Sequence, residues 1–135
     1  MYSNLESYMN DIEMLFIYSS IITDYFIREK KIVGNEGYIR IKAQLSNGDT
    51  FEAFEFVSLI ENKIKILTYR LQWQTVNAIL KKRWDNAEHH KQVTTFPYHI
   101  HDGVSSRVLE SEPMSIKKVL NIIEKEIQEA EKQSK

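Results

Sequence analysis

The sequence predicts an α+β domain in which an N-terminal and a C-terminal helix flank a twisted antiparallel sheet of about five strands. Apolar residues recur at helical spacing near both ends of the chain, and apolar and polar residues alternate through its middle. Asn47-Gly48 separates two alternating segments, and this dipeptide is a strong hairpin signal because both residues tolerate positive φ. A chain of 135 residues fits one domain with a buried core, so we expect a single domain over residues 1–135 with a frayed tail at 130–135.

The composition excludes several classes of protein. There is no cysteine, so neither a disulfide framework nor a thiolate metal site is available. No apolar run approaches the roughly 20 residues that a membrane span needs, and no signal-peptide pattern begins the chain, so we expect a cytoplasmic protein without a membrane anchor. The net charge of −1 argues against a surface covered in bases. Bases nevertheless outnumber acids in residues 63–101, and such a local excess can attract an anion.

The first helix and the first strands follow from spacing. Ser3 and Glu6 have the spacing of a capping box. One helical face behind them is apolar: Leu5, Tyr8, Met9, Ile12, Leu15 and Phe16. Residues 21–33 are rich in β-forming types and predict a strand, and the glycines of residues 34–37 predict a turn.

The central hairpin has the clearest alternation in the chain. Its first strand places four apolar residues on one side: Ile39, Ile41, Ala43 and Leu45. Residues 50–57 form the returning strand, and a slip of phase between Ala53 and Phe54 predicts a β-bulge there. Residues 64–74 predict the next strand.

The C-terminal third is predicted to contain a strand, a long loop and a helix. Residues 80–85 alternate as a strand, although residues 77–84 also fit a helical turn. Residues 85–103 are predicted to be a loop with a short extended piece at 98–101. Pro113 and Ser115 predict the start of the last helix. Its apolar face consists of Ile116, Val119, Leu120, Ile123 and Ile127, and this stripe ends before Glu129.

Chemistry-bearing residues concentrate between residues 69 and 103. Both tryptophans lie there, Trp73 and Trp84. So do all four histidines, which are His89, His90, His99 and His101. Imidazole is the side chain that titrates near neutral pH, so this clustering favours a site for proton transfer.

A specific order of residues runs through the same stretch: Tyr69-Arg70-Leu71-Gln72-Trp73-Gln74, Arg83-Trp84-Asp85-Asn86-Ala87, His89-His90, Thr95-Phe96-Pro97 and His99-Ile100-His101-Asp102-Gly103. In this order the chain resembles the TumE-type toxins of prokaryotic toxin–antitoxin systems over roughly residues 20–127. The resemblance implies a small cytoplasmic toxin that is neutralised by an antitoxin encoded beside it. We expect that antitoxin to be a small helix-turn-helix protein.

The leading hypothesis for the activity is RNA cleavage without a metal or other cofactor. Such a reaction needs a general base for the 2′-hydroxyl, a general acid for the leaving 5′-oxygen and a cation for the phosphate. Two of the four histidines would transfer the protons, Asp85 would orient one of them, and Arg83 would hold the phosphate. The remaining expected substrate contacts are Tyr69, Arg70, Gln72, Lys82, Trp84 and Tyr98, and one of the rings of Trp84, Phe96 and Tyr98 would stack an unpaired base.

Two other readings stay open. His99 and His101 share one face of an extended segment, so with Asp85, Asp102 or His89 they could bind a divalent metal such as zinc. Alternatively the cluster has no catalytic role, and its histidine, tryptophan and arginine side chains dock the antitoxin or another protein. An exposed edge strand could also pair two copies into a homodimer.

Overall fold

The computed structural model describes residues 1–134, which form two α-helices and seven β-strands. The helices are α1 (Leu5–Tyr18) and α2 (Ile116–Gln133). The strands are β1 (Ile22–Val33), β2 (Glu36–Leu45), β3 (Thr50–Ile60), β4 (Lys63–Gln74), β5 (Leu80–Asp85), β6 (His99–Asp102) and β7 (Arg107–Glu110). They make one antiparallel sheet in the order β1-β2-β3-β4-β5-β6-β7. The α+β class is therefore confirmed, with more strands than expected.

The register divides the strand side chains between two faces. One row of partnered residues crosses the sheet and packs in the core with both helices: Ile41, Ala53, Leu71, Trp84 and Ile100. Successive residues of a strand point to opposite sides, so the adjacent row lies on the other face, called the outer face below. That row is Arg40, Phe54, Arg70, Asp85 and His99.

The strand count is where the sequence prediction falls short. β6 and β7 lie in and just after the segment that was predicted to be a loop, and each has only 4 residues. Strands this short show no sustained alternation, and they form because they pair with β5 and with each other. The short extended piece expected at 98–101 is the part of this region that the sequence did indicate.

Two local predictions are wrong. Asn4 caps α1 instead of Ser3, since its side-chain oxygen accepts from the backbone N–H of Ser7 at 2.8 Å. The pairing of β2 with β3 runs unbroken through Ala53 and Phe54, so no bulge lies there. The register shifts instead against β4, beyond Phe56. Glu55 explains the apparent slip, because this charged residue occupies a position that points into the core.

The last helix begins as expected and ends later. Ser115 caps α2 by accepting from the backbone N–H of Lys118 at 3.1 Å. The helix then continues to Gln133 beyond its apolar stripe, and the N–H of Ser134 still donates to the carbonyl of Ala130 at 3.2 Å. Residues 130–133 of the predicted frayed tail therefore lie in α2, and Lys135 lies outside the described residues.

Glu55 joins both helices to the sheet. Its side chain is 0% exposed, which is rare for a carboxylate. The hydroxyl of Tyr8 in α1 donates to Oε1, and the backbone N–H of Ile116, the first residue of α2, donates to Oε2 at 2.7 Å. Burial raises the pKa of Glu55, although these two hydrogen bonds favour the ionised form.

Replacing Glu55 tests this junction. We expect Glu55→Ala to lower the free energy of unfolding by about 2–4 kcal/mol, because it leaves a cavity and two donors without their acceptor. Glu55→Gln keeps the volume and an acceptor oxygen, and should cost far less near neutral pH. Urea unfolding of the three proteins measures both differences.

The same variants give a pH dependence with a defined sign. Because the folded state raises the pKa of Glu55 above its ordinary value of 4.5, the stability that this group contributes is fully present below pH 4.5. That contribution is lost as the pH rises through the folded-state pKa. The stability of the wild type relative to Glu55→Gln should therefore fall with rising pH, and a constant difference would contradict the assignment.

Candidate functional site

A cleft of about 400 Å³ opens on the outer face of the sheet. It is called the histidine cleft below, and it brings together most of the candidate residues. Those that line it are Tyr69, Arg70, Arg83, Asp85, His89, His90, His99 and His101. Residues from β4, β5, β6 and the 86–98 loop therefore meet at one place, although they are distant in sequence.

Strand geometry positions the floor of the cleft. Asp85 of β5 is the register partner of Arg70 in β4 and of His99 in β6. Arg83 is likewise the partner of His101. Residues two apart on a strand share a face, so these two rows lie side by side. The expectation that His99 and His101 point to the same side is confirmed.

Three imidazoles form a compact triangle, called the imidazole cluster below: His90, His99 and His101. Their ring centroids are 4.9 Å apart for His90 and His99, 5.0 Å for His90 and His101, and 4.8 Å for His99 and His101. His90 comes from the 86–98 loop, which brings its ring against those of His99 and His101 in β6. His89 is exposed and lines the cleft outside this cluster.

The carboxylate of Asp85 contacts two members of the imidazole cluster, His99 and His101. Its Oδ1 lies 2.8 Å from Nε2 of His99 and accepts from the backbone N–H of Ala87 at 3.1 Å. Its Oδ2 accepts from Nε of Arg83 at 3.2 Å and lies 3.5 Å from Nε2 of His101. Asp85 is buried, so these contacts form in a medium of lower dielectric than water. The expected contact between Asp85 and a histidine is present.

His99 is fully enclosed. Its side chain is 1% exposed, and Nδ1 donates to the carbonyl oxygen of Pro97 at 2.8 Å. Nε2 faces Asp85 and also lies 3.1 Å from Nε2 of His101. Both nitrogens therefore face polar groups of the protein, and the ring does not reach solvent.

His101 and His90 are the members of the cluster that solvent reaches, because both are only half-buried. The pKa of His101 is lowered, first by burial and next by the positive charge of Arg83. Asp85 opposes this shift. The neutral ring, which can accept a proton, is thus favoured at position 101.

Arginines line the cleft next to the imidazoles. Arg83 is held by Asp85 through Nε, and Arg70 is exposed on the adjacent strand. The sequence analysis missed Arg40 and Phe54, which also line the cleft, with the guanidinium carbon of Arg40 4.5 Å from the ring centroid of Phe54. The predicted bulge at Phe54 implies that the Phe54 ring points into the core, which is why the sequence analysis missed it. An unbroken hairpin register counted from Asn47-Gly48 instead pairs Phe54 with Arg40 on the outer face.

Several expected substrate contacts lie elsewhere. Trp84 is buried against the helices, and Nζ of Lys82 lies 3.3 Å from Glu126 in α2. Alternation along β5 excludes Lys82 and Trp84 from the outer face, because Arg83 and Asp85 already point to that face. The ring of Tyr98 stacks on that of Tyr69 with centroids 6.5 Å apart, outside the residues that line the cleft.

The remaining expected contacts are explained individually. The Tyr69 ring belongs to the core, and burial raises the pKa of its hydroxyl to about 12. Although Tyr69 lines the cleft, its ring is therefore not accessible to a substrate. Gln72 is on the outer face, but its side-chain amide donates to Oε1 of Gln74 at 2.6 Å.

Asp102, a candidate metal ligand, accepts from Ser105 at 2.7 Å and does not line the histidine cleft. Trp73 is buried, so neither it nor Trp84 is a surface docking anchor.

The fold and the cleft define a class of small α+β proteins with an open sheet face that carries imidazoles, a carboxylate and arginines. The family model described as Toxin TumE matches residues 12–131 of this chain. The chain therefore belongs to the TumE toxin family, which identifies it as a toxin of a toxin–antitoxin system. No curated protein and no solved structure matches it significantly. Neither helix of residues 1–134 has the length and apolar character that crossing a bilayer requires.

Proposed function

We propose that this toxin belongs to a type II system and cleaves RNA in the histidine cleft without a metal. The observation that carries the proposal is the convergence of His90, His101 and Arg83 in one open cleft above the buried Asp85. These are the groups that phosphodiester transfer needs, two proton-transfer groups and a cation. The excess of bases around them favours a polyanionic substrate.

The proposed reaction is an internal transfer. One of the two accessible imidazoles, His90 or His101, removes the proton of a 2′-hydroxyl, whose oxygen then forms a bond to the adjacent phosphorus. The bond from phosphorus to the 5′-oxygen breaks, and the other imidazole protonates that oxygen. The products are a 2′,3′-cyclic phosphate and a 5′-hydroxyl, and no oxidant or further reactant is required.

The arginines act on the phosphate. Nε of Arg83 is held by Asp85, which fixes the plane of the guanidinium and leaves its other nitrogens for two phosphate oxygens. Arg70 lies on the neighbouring strand of the same cleft and contacts the flanking phosphate. Asp85 and His99 position the reacting imidazoles from below.

Family membership implies a cognate antitoxin. We expect this partner to be a small helix-turn-helix protein that acts in the cytoplasm together with the toxin. The sheet ends in two edge strands, β1 and β7, and edge-to-edge pairing at one of them is the expected route to a homodimer.

Cleavage in a chelator tests the proposal. Purified toxin, separated from co-expressed antitoxin, should cut a mixed-sequence RNA in excess EDTA at a rate within about twofold of that without EDTA, because the reaction uses only side chains. Gel analysis of end-labelled RNA measures the rate and detects the cyclic phosphate. His101→Ala protein purified in parallel controls for contaminating nucleases. Activity that disappears in EDTA and returns with manganese or zinc would contradict the metal-free reaction.

A further inference from the structure

The imidazole cluster has the dimensions of a metal site. One nitrogen from each of its three rings lies within 4.8 Å of the others. Nε2 of His99 and Nε2 of His101 are 3.1 Å apart. Two imidazole nitrogens bound at 2.0–2.1 Å to one tetrahedral zinc ion are separated by roughly 3.3 Å, so these two rings are close to the spacing that a shared ion requires.

The groups around the cluster also suit a metal. Nδ1 of His99 donates to the Pro97 carbonyl at 2.8 Å, which is the second hydrogen bond that a metal-ligating imidazole commonly makes. This contact directs Nε2 towards His101. Oδ1 of Asp85 lies 2.8 Å from that nitrogen, near enough to be a fourth ligand or to balance the charge of the ion.

We infer that His90, His99 and His101 bind one divalent transition-metal ion, zinc in the first place, and that the bound ion inhibits the toxin. Three nitrogen donors favour zinc over magnesium or calcium, which take oxygen ligands. The ion would occupy the imidazole nitrogens that the metal-free reaction uses for its protons. Metal binding stands independently of the proposed function, whereas the inhibition rests on it.

His89 provides a matched control for the binding experiment. It is adjacent to His90 in sequence and lines the same cleft, but it is exposed and lies outside the cluster. His89→Ala therefore removes an imidazole from the same cleft without removing a proposed ligand. His90→Ala and His101→Ala each remove a ligand that is only half-buried, which limits the disturbance to folding.

Zinc titration of the full-length chain tests the binding. After dialysis against a chelator, calorimetry should show one zinc ion per chain for the wild type and for His89→Ala. Affinity should fall at least about 10–100-fold in His90→Ala and in His101→Ala, with circular dichroism confirming that both are folded. Cobalt absorbance reports whether the coordination is tetrahedral. Zinc binding no stronger than magnesium binding, or equal losses in His89→Ala and His101→Ala, would overturn the site.

RNA cleavage tests the inhibition separately. One equivalent of zinc should suppress cleavage by the wild type, and a chelator should restore it. Zinc that stimulates cleavage would overturn both the inhibition and the metal-free reaction. Zinc binding by a protein that cuts no RNA under any condition would refute the proposed function and the inhibition together, while the binding site would stand on its own measurement.

Discussion

His101→Ala is expected to slow RNA cleavage at least about 100-fold and to abolish growth arrest when the toxin is expressed without its antitoxin. His101 is half-buried, lines the histidine cleft beside Arg83, and has a lowered pKa that favours the neutral ring. Removing it deletes one of the two proton-transfer groups while Arg83 and Asp85 remain in contact. Initial rates on a fluorogenic RNA and colony counts after induction measure the two effects.

The matched control is again His89→Ala. This ring is exposed and outside the imidazole cluster, so its removal should change the rate no more than about threefold, as is usual for a group outside the chemistry. Circular dichroism and thermal melts would show that both variants are folded. Full toxicity of a folded His101→Ala protein would remove the imidazole cluster from the mechanism.

Gly103→Ala is expected to destabilise the fold by about 3 kcal/mol, through overpacking against rigid backbone. A Cβ at this position would lie 1.8 Å from the carbonyl oxygen of Leu80 and 2.5 Å from its carbonyl carbon. The N–H of Gly103 also donates to the carbonyl of Lys81 at 2.8 Å, which holds the end of β6 against β5. An alanine must push these strands apart, and with them His99 and His101.

Gly34→Ala separates this steric effect from the general effect of replacing glycine. Gly34 has φ +61, and no atom outside Gly34 and its two chain neighbours lies within 4 Å of the position that an alanine methyl group would take. Only the left-handed backbone is therefore penalised, at about 1 kcal/mol. Urea unfolding should rank the wild type, Gly34→Ala and Gly103→Ala in that order, and RNA cleavage should fall in the last alone. Equal stability of the two variants would contradict the close approach of Gly103 to β5.

The sequence predicted those parts of the fold whose patterns are local. The β2–β3 hairpin follows from regular alternation on either side of Asn47-Gly48, and both helices follow from apolar stripes. β6 and β7 were hidden because strands of 4 residues form only through pairing with distant partners. Glu55 misled the reading of β3, since a buried carboxylate reverses the polarity on which alternation depends.

The candidate site was predictable to a similar extent. Spacing by two residues placed Arg83 with Asp85 and His99 with His101, and the structure brings both pairs into one cleft. The convergence itself depends on the pairing of β5 with β6, a register that no local pattern contains. The position of His90 depends on the irregular 86–98 loop, for which the sequence has no period to follow.

The order of the strands has a consequence for how the protein is made. Every strand pairs with its neighbour along the chain, from β1 through β7, so the sheet can grow one hairpin at a time as the ribosome releases the polypeptide. The histidines lie in the second half of the chain and are therefore synthesised after β1 to β5. Helix α2, which completes the core, is synthesised last. The imidazole cluster is therefore completed only after β1 to β5 have been synthesised, and the core is completed only with α2.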